Sequence, residues 1–218
     1  MKATAASSWI GVVALTASLA ISTAAPPAFI PPGRGADADL AMEPTAVVPH
    51  AQIAYERNMI DWARDLFDEA GLELPYVKVR FSDDPEGCEG NQGTLRTTPD
   101  GDRIIRICAD HDKPSVRDRW RRRALVHEFA HLWEQTNLDN ETRQAFMAHR
   151  ELDNWNDRSA EWRYRATEHA AEMITWGLID FWWLFDALPD NSCDEMLEGY
   201  RILTGLEPTN GPDLNCTG

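Results

Sequence analysis

Long apolar runs are lacking: the stretch over residues 9–21 is shorter than the roughly 20 residues a spanning helix needs. Cysteine is sparse, and the four present include no C-x-x-C pair, which excludes thiolate metal sites built on that spacing. No cysteine follows the apolar stretch until Cys88, so a lipid-modified amino terminus is not expected. Basic residues are few, 21 Lys and Arg against 36 Asp and Glu, and the formal charge of −15 argues against nucleic acid or anionic membrane as a partner. No internal repeat is visible, and low complexity is confined to an alanine- and proline-rich start.

That start has the order of an export signal. Lys2 precedes the apolar stretch, and Ser22-Thr23-Ala24-Ala25 offers small residues for cleavage, so residues 1–25 read as a signal peptide. Cleavage after Ala24 is preferred, because a cut after Ala25 would set the Pro26 ring against the scissile bond. Loss of Lys2 takes the formal charge from −15 to −16. A secreted protein is expected, with an uncleaved anchor as the alternative, and no membrane partner once the signal is removed. Pro26-Pro27 and Pro31-Pro32-Gly33 make residues 26–49 a flexible linker. Residues 50–218 are then one domain, long enough for one core, and a monomer is expected. An even cysteine count in an exported chain points to disulfides, the simplest of three connectivities being Cys88–Cys108 and Cys193–Cys216.

Inside the domain, Ile53, Met59, Ile60, Trp62, Ala63, Leu66 and Phe67 recur at helical spacing over residues 51–70, and Gly71 ends the run. Residues 76–81 alternate as a strand does. Residues 93–97 and 103–108 flank an Asp100-Gly101 pair that favours a hairpin turn. Ser115, with Asp118 three residues later, is placed to cap the next helix. Helical patterns fill most of the remainder, so the class is α+β.

The helix after the hairpin carries the chemistry. His127-Glu128-Phe129-Ala130-His131 is an H-E-x-x-H motif, and residues four apart on a helix sit one above the other, so His127 and His131 can face one metal ion. Glu128 is poorly placed as a ligand but well placed to take a proton from water activated there. Leu125, Val126, Phe129, Leu132 and Trp133 set the histidines beside a buried apolar face, where imidazoles need partners. Zn2+ is the expected ion, and it needs a third protein ligand. No third histidine follows closely on the same helix. The segment over residues 165–177 reads as a second helix with small residues for close packing and Gly177 as its stop. Glu168 is the expected third ligand, and Glu172, one turn later, is expected to accept the free ring N–H of His127. His169, turned about 100° from Glu168, is the rival ligand.

These residues resemble the gluzincin zinc peptidases, which carry H-E-x-x-H on one helix and a glutamate ligand on a later one. The resemblance spans residues 76–178 and rests on motifs alone. The family's second motif is commonly Glu-x-x-x-Asp, whereas here Glu168 is followed at that spacing by Glu172. The resemblance implies a zincin-like fold: a small twisted sheet packed on the active-site helix, then a helical lower subdomain. It also implies that an exposed sheet edge, supplied by a strand between Gly93 and Cys108, receives a peptide or protein substrate as an added strand. The function expected is a secreted zinc metallopeptidase with Glu128 as general base. The alternatives are a zincin-shaped protein that binds zinc or a partner without catalysis, and an amidase acting on cell-wall peptides.

Three further features invite roles. Arg117, Arg119, Arg121, Arg122 and Arg123 crowd the first half of the motif helix, where its dipole disfavours them. Either Asp110, Asp112 and Asp118 neutralise them, or they dock an acidic segment. Phe181-Trp182-Trp183-Leu184-Phe185, with Trp155, Trp162 and Trp176, is either an aromatic core or a pocket for a bulky side chain. Tyr164 and His149 are candidate hydrogen-bond donors to a tetrahedral oxyanion.

Overall fold

A computed structural model describes residues 50–109, 111–181, 183 and 188–210. The expected signal peptide and linker, together with Asp110, Trp182, Leu184, Phe185 and Cys216, lie outside the described residues. Helix α1, His50–Glu69, buries Met59, Ala63, Leu66 and Phe67 along one face. Gly71 turns the chain out of it at φ 73°, a conformation that a side chain would strain.

Three short strands follow: β1 (Lys78–Phe81), β2 (Gly93–Thr97) and β3 (Arg103–Ile107). The hairpin expected from Asp100-Gly101 pairs β2 with β3 antiparallel, with Gly93 opposite Ile107 and Thr97 opposite Arg103. β1 lies parallel to the other side of β3, giving the order β1-β3-β2. The chain must therefore cross from one sheet edge to the other before β2. A 3-10 turn at Pro85–Cys88 begins that crossing, and a Cys88–Cys108 disulfide ties it to the end of the central strand. Cys193 is also disulfide-bonded.

Helix α2 spans Pro114–Asn137. Ser115 does not cap it: the N-cap is Lys113, which makes no side-chain cap bond, and Pro114 opens the first turn. Proline suits that place because its φ is already helical and its missing N–H has no helical acceptor to lose. In its second half every residue from Ala124 to Ala130 is buried, because α1 and the sheet touch it together with a later helix, α4 (Ala166–Leu178). Phe67 of α1 meets Phe129 edge to face at 6.0 Å.

Helix α3, Asn140–His149, starts where Asp139 accepts a bond from the Thr142 backbone N–H. Helix α5, Cys193–Thr204, starts at Ser192, whose hydroxyl accepts from the Glu195 N–H, and ends at Gly205 with φ 70°. α5 packs on both α3 and α4. α4 does not stop at Gly177 but runs through it to Leu178. The glycine serves packing instead, since a Cβ there would lie only 2.3 Å from the buried Tyr200 ring. The class is α+β, with the sheet against α2 and three helices after it. No helix among the described residues is long and apolar enough to cross a membrane.

Candidate metal centre

Close contact between α2 and α4 brings three side chains together. His127 Nε2 lies 3.3 Å and His131 Nε2 3.2 Å from the same oxygen, Glu168 Oε2. The two imidazoles meet edge to face, with ring centres 4.6 Å apart. A tetrahedral ion with bonds of about 2.0–2.1 Å has ligand-to-ligand edges of about 3.3–3.4 Å, so these spacings and this nitrogen and oxygen donor set suit a small four-coordinate cation. His127, His131 and Glu168 are the one group among the described residues that could hold a metal ion.

Each histidine has a carboxylate behind its other ring nitrogen. His131 Nδ1 faces Glu134 Oε1 at 2.7 Å, and the fully buried Glu134 also accepts a hydrogen bond from the Thr167 hydroxyl. His127 Nδ1 lies 3.2 Å from Glu172 Oε1, at hydrogen-bond distance but without hydrogen-bond alignment. That same oxygen receives the Arg123 guanidinium, so Glu172 is shared between Arg123 and His127. No motif marks Glu134 or Thr167 as a site residue in the sequence, and Arg123 stands out there only as one of the arginine run. The signal for Glu134 was its position three residues after His131, on the same face of the helix.

Glu128 is 5 % exposed and lies against β2. Gly93, the first residue of β2, makes the room: a Cβ there would fall 2.7 Å from Glu128 Oε1. Burial pushes the Glu128 carboxyl above the usual carboxylate range, and the nearby histidines and the Leu95 backbone N–H offset only part of that. Burial likewise works against charge on both imidazoles, but Glu168 and Glu172 beside His127, and Glu134 and Glu168 beside His131, outweigh it and raise both. Against its own burial, Glu168 is held far below the ordinary carboxylate range by the two histidines.

The group opens into a cleft walled by β2 from Gly93 to Thr97 on one side and by residues of the segment before α4 on another. β2 is an edge strand, so its outer backbone faces this space. Trp162 stacks near His127, with ring centres 6.4 Å apart and planes 26° from parallel. Trp183 and Trp120, in edge contact at 5.9 Å, also line the cleft, whereas Trp176 belongs to the core. The aromatic region thus divides between core and wall.

The rival ligand His169 lies outside the group. Its Nε2 is 2.6 Å from the Arg163 carbonyl, and its Nδ1 accepts from Arg150 Nε at 3.4 Å. Neither Tyr164 nor His149 lines the cleft; Tyr164 is exposed, and His149 Nε2 sits 3.2 Å from Glu195 Oε2. The arginine run divides as well. Arg121 donates to the Ala109 carbonyl and pairs with Asp83, Arg122 pairs with Asp118, and Arg119 faces the cleft.

No protein-family model matches this sequence, and neither a curated protein nor a solved structure matches it.

Proposed function

We propose that this chain is an exported zinc metallopeptidase with a zincin-like arrangement of the gluzincin kind. The observation that carries the reading is the convergence of His127 Nε2, His131 Nε2 and Glu168 Oε2 beside a buried Glu128, in a cleft bordered by a sheet edge. The carboxylates behind the two ring nitrogens support it further, since such partners fix the tautomer and orientation of ligating histidines. A helix that carries the motif beneath a small sheet, with further helices after it, is the layout such enzymes use. The Cys88–Cys108 disulfide agrees with an oxidising destination.

His127, His131 and Glu168 would hold zinc, which supplies a Lewis acid that makes water a nucleophile near neutral pH and polarises the scissile carbonyl. An extended peptide pairs its backbone with the outer edge of β2, which presents the carbonyl to the site. Glu128, with its raised pKa, accepts the proton of the attacking water and returns it to the leaving amine.

The test is cleavage mapping of a mixed peptide library by mass spectrometry, with the mature chain run beside Glu128→Gln at equal zinc content. Cuts made by the unaltered chain and abolished in the variant are the expected result. Undiminished cutting by Glu128→Gln removes the base assignment. Zinc bound without any cleavage favours a binding protein of the same shape.

A further inference from the structure

The chain is acidic as a whole, yet the wall of its cleft carries five arginines: Arg96, Arg119, Arg123, Arg158 and Arg165. Two of them are matched by acids. Arg123 pairs with Glu172, and Arg96 lies 2.9 Å from Glu89. The remaining cleft acids, Glu128 and Glu168, belong to the metal centre. Among the described residues Arg119, Arg158 and Arg165 have no carboxylate within ion-pair distance, and Arg119 leans over the Phe181 ring at 6.0 Å.

Arg158 and Arg165 differ from scattered surface cations in being held together. Arg165 is half-buried, and its Nε donates to the Ala160 carbonyl at 3.0 Å while its Nη2 donates to the Arg158 carbonyl at 3.3 Å. Its guanidinium is therefore fixed against the backbone from which the Arg158 side chain springs. Asp157, the acid next to Arg158 in sequence, accepts the Ser159 backbone N–H at 2.8 Å and the Ser159 hydroxyl at 2.7 Å through one oxygen, and it feels the charge of Arg165 only through space, without an ion-pair contact. Arg165 is also the N-cap residue of α4, three positions before Glu168, and Trp162 between the two arginines stacks on His127. Two arginines joined through the Arg158 backbone thus line the cleft beside the metal centre, neither of them in an ion pair among the described residues. Planar guanidinium groups bind carboxylates through paired hydrogen bonds, which makes arginine the fitting residue for such a task.

We propose that Arg158 and Arg165 form a carboxylate-recognising subsite that selects peptides with an acidic side chain, or a free C-terminal carboxylate, close to the bond presented to the metal centre. The substrate class rests on the peptidase reading above; the carboxylate preference itself can be measured without turnover.

The experiment uses the full mature chain carrying Glu128→Gln and loaded with zinc, titrated with peptides by calorimetry. One set places Glu or its neutral twin Gln at successive positions in a peptide blocked at both ends. A second set lacks acidic side chains and compares a free C-terminal carboxylate with its amide. In one of the sets the carboxylate peptide binds about tenfold or more tightly than its twin, and the set that shows it identifies the source. Arg158→Gln removes the preference while the neutral twin keeps its affinity. Arg158 is exposed and its side chain makes no hydrogen bond or ion pair among the described residues, so Arg158→Gln is expected to leave the fold intact; Arg165→Lys, which keeps charge without the planar fork, weakens the preference in part. Equal binding of all twins, absence of binding by every peptide, or a preference that survives Arg158→Gln and Arg165→Gln overturns the subsite. An unaltered chain that cuts Glu and Gln twins alike keeps the peptidase and loses the subsite. A chain that cuts nothing but shows an Arg158-dependent preference keeps the subsite and loses the peptidase.

Discussion

Glu134 Oε1 stands 2.7 Å from His131 Nδ1, directly behind the imidazole whose Nε2 faces Glu168. The carboxylate is fully buried and is held in turn by the Thr167 hydroxyl at the start of α4. This arrangement fixes which nitrogen of His131 is free to bind a cation, and it links the two helices that supply the ligands.

Removing that support weakens metal binding without removing a ligand. Glu134→Gln is expected to lower zinc affinity about tenfold to a hundredfold, the usual consequence of losing a partner behind a ligating histidine. Competition against a chromophoric chelator measures it. Thr167→Val, which leaves Glu134 in place but removes a hydrogen bond to it, should give a smaller loss in the same direction. Unchanged affinity in both variants would mean that Glu134 only fills the core.

Gly93→Ala is expected to separate metal binding from catalysis. The added methyl would sit 2.7 Å from Glu128 Oε1 and 2.8 Å from its Cγ, so Glu128 must swing aside. His127, His131 and Glu168 are untouched by that change. Zinc content by atomic absorption should stay near one ion per chain, while peptide cleavage falls by about a hundredfold, within the usual range for a displaced general base. Loss of zinc together with activity would show that β2 supports the ligands and not the base.

Much of this arrangement was legible in the sequence because it is local. The α1 face of Met59, Ala63 and Phe67, the Asp100-Gly101 hairpin and the four-residue spacing of His127 and His131 each depend on helix or turn geometry alone. What was not legible depends on tertiary encounter. Nothing in a four-residue strand tells that β1 will lie parallel to β3. Gly93 resembled any glycine before a strand until Glu128 was seen against it. Arg123 belonged to a run of five similar charges, and its pairing with Glu172 spans 49 residues of sequence. Glu134 was one helical acid among many, since an i to i+3 spacing is shared by exposed and buried pairs alike.

The Cys88–Cys108 bond closes a loop with a sequence separation of 20 between the crossing turn and the end of β3. Loop-closure entropy for a ring of that size gives a stabilisation of about 3 kcal/mol. The double variant Cys88→Ala and Cys108→Ala should lower stability by that order in urea denaturation. Residues 89–92, which lead into β2 along the cleft wall, should gain hydrogen exchange before the helices do. Equal protection in both forms would show that the sheet alone holds the wall.

The Arg123–Glu172 pair sets a dependence of stability on acid. Burial pushes the Glu172 carboxyl up, but the Arg123 guanidinium and His127 outweigh it and hold it at about 2, against an ordinary value of 4.5. A carboxyl depressed in the folded state binds its proton more readily when unfolded. Its contribution is therefore fully present above pH 4.5 and is lost as pH falls from there toward 2. In Glu172→Gln that part of the acid loss should disappear, so urea midpoints measured from pH 5 to pH 2 should fall less steeply than in the unaltered chain. Arg123→Met acts differently, because it leaves a carboxylate that is 1 % exposed without its cation. It is expected to destabilise the chain at pH 7 by about 3 kcal/mol and to flatten the loss on the acid side, since burial then opposes ionisation with only His127 to offset it. The double variant Arg123→Met with Glu172→Gln should recover part of the loss at pH 7. No recovery would show that Arg123 stabilises through its contact with Trp183, and that the pair itself adds little.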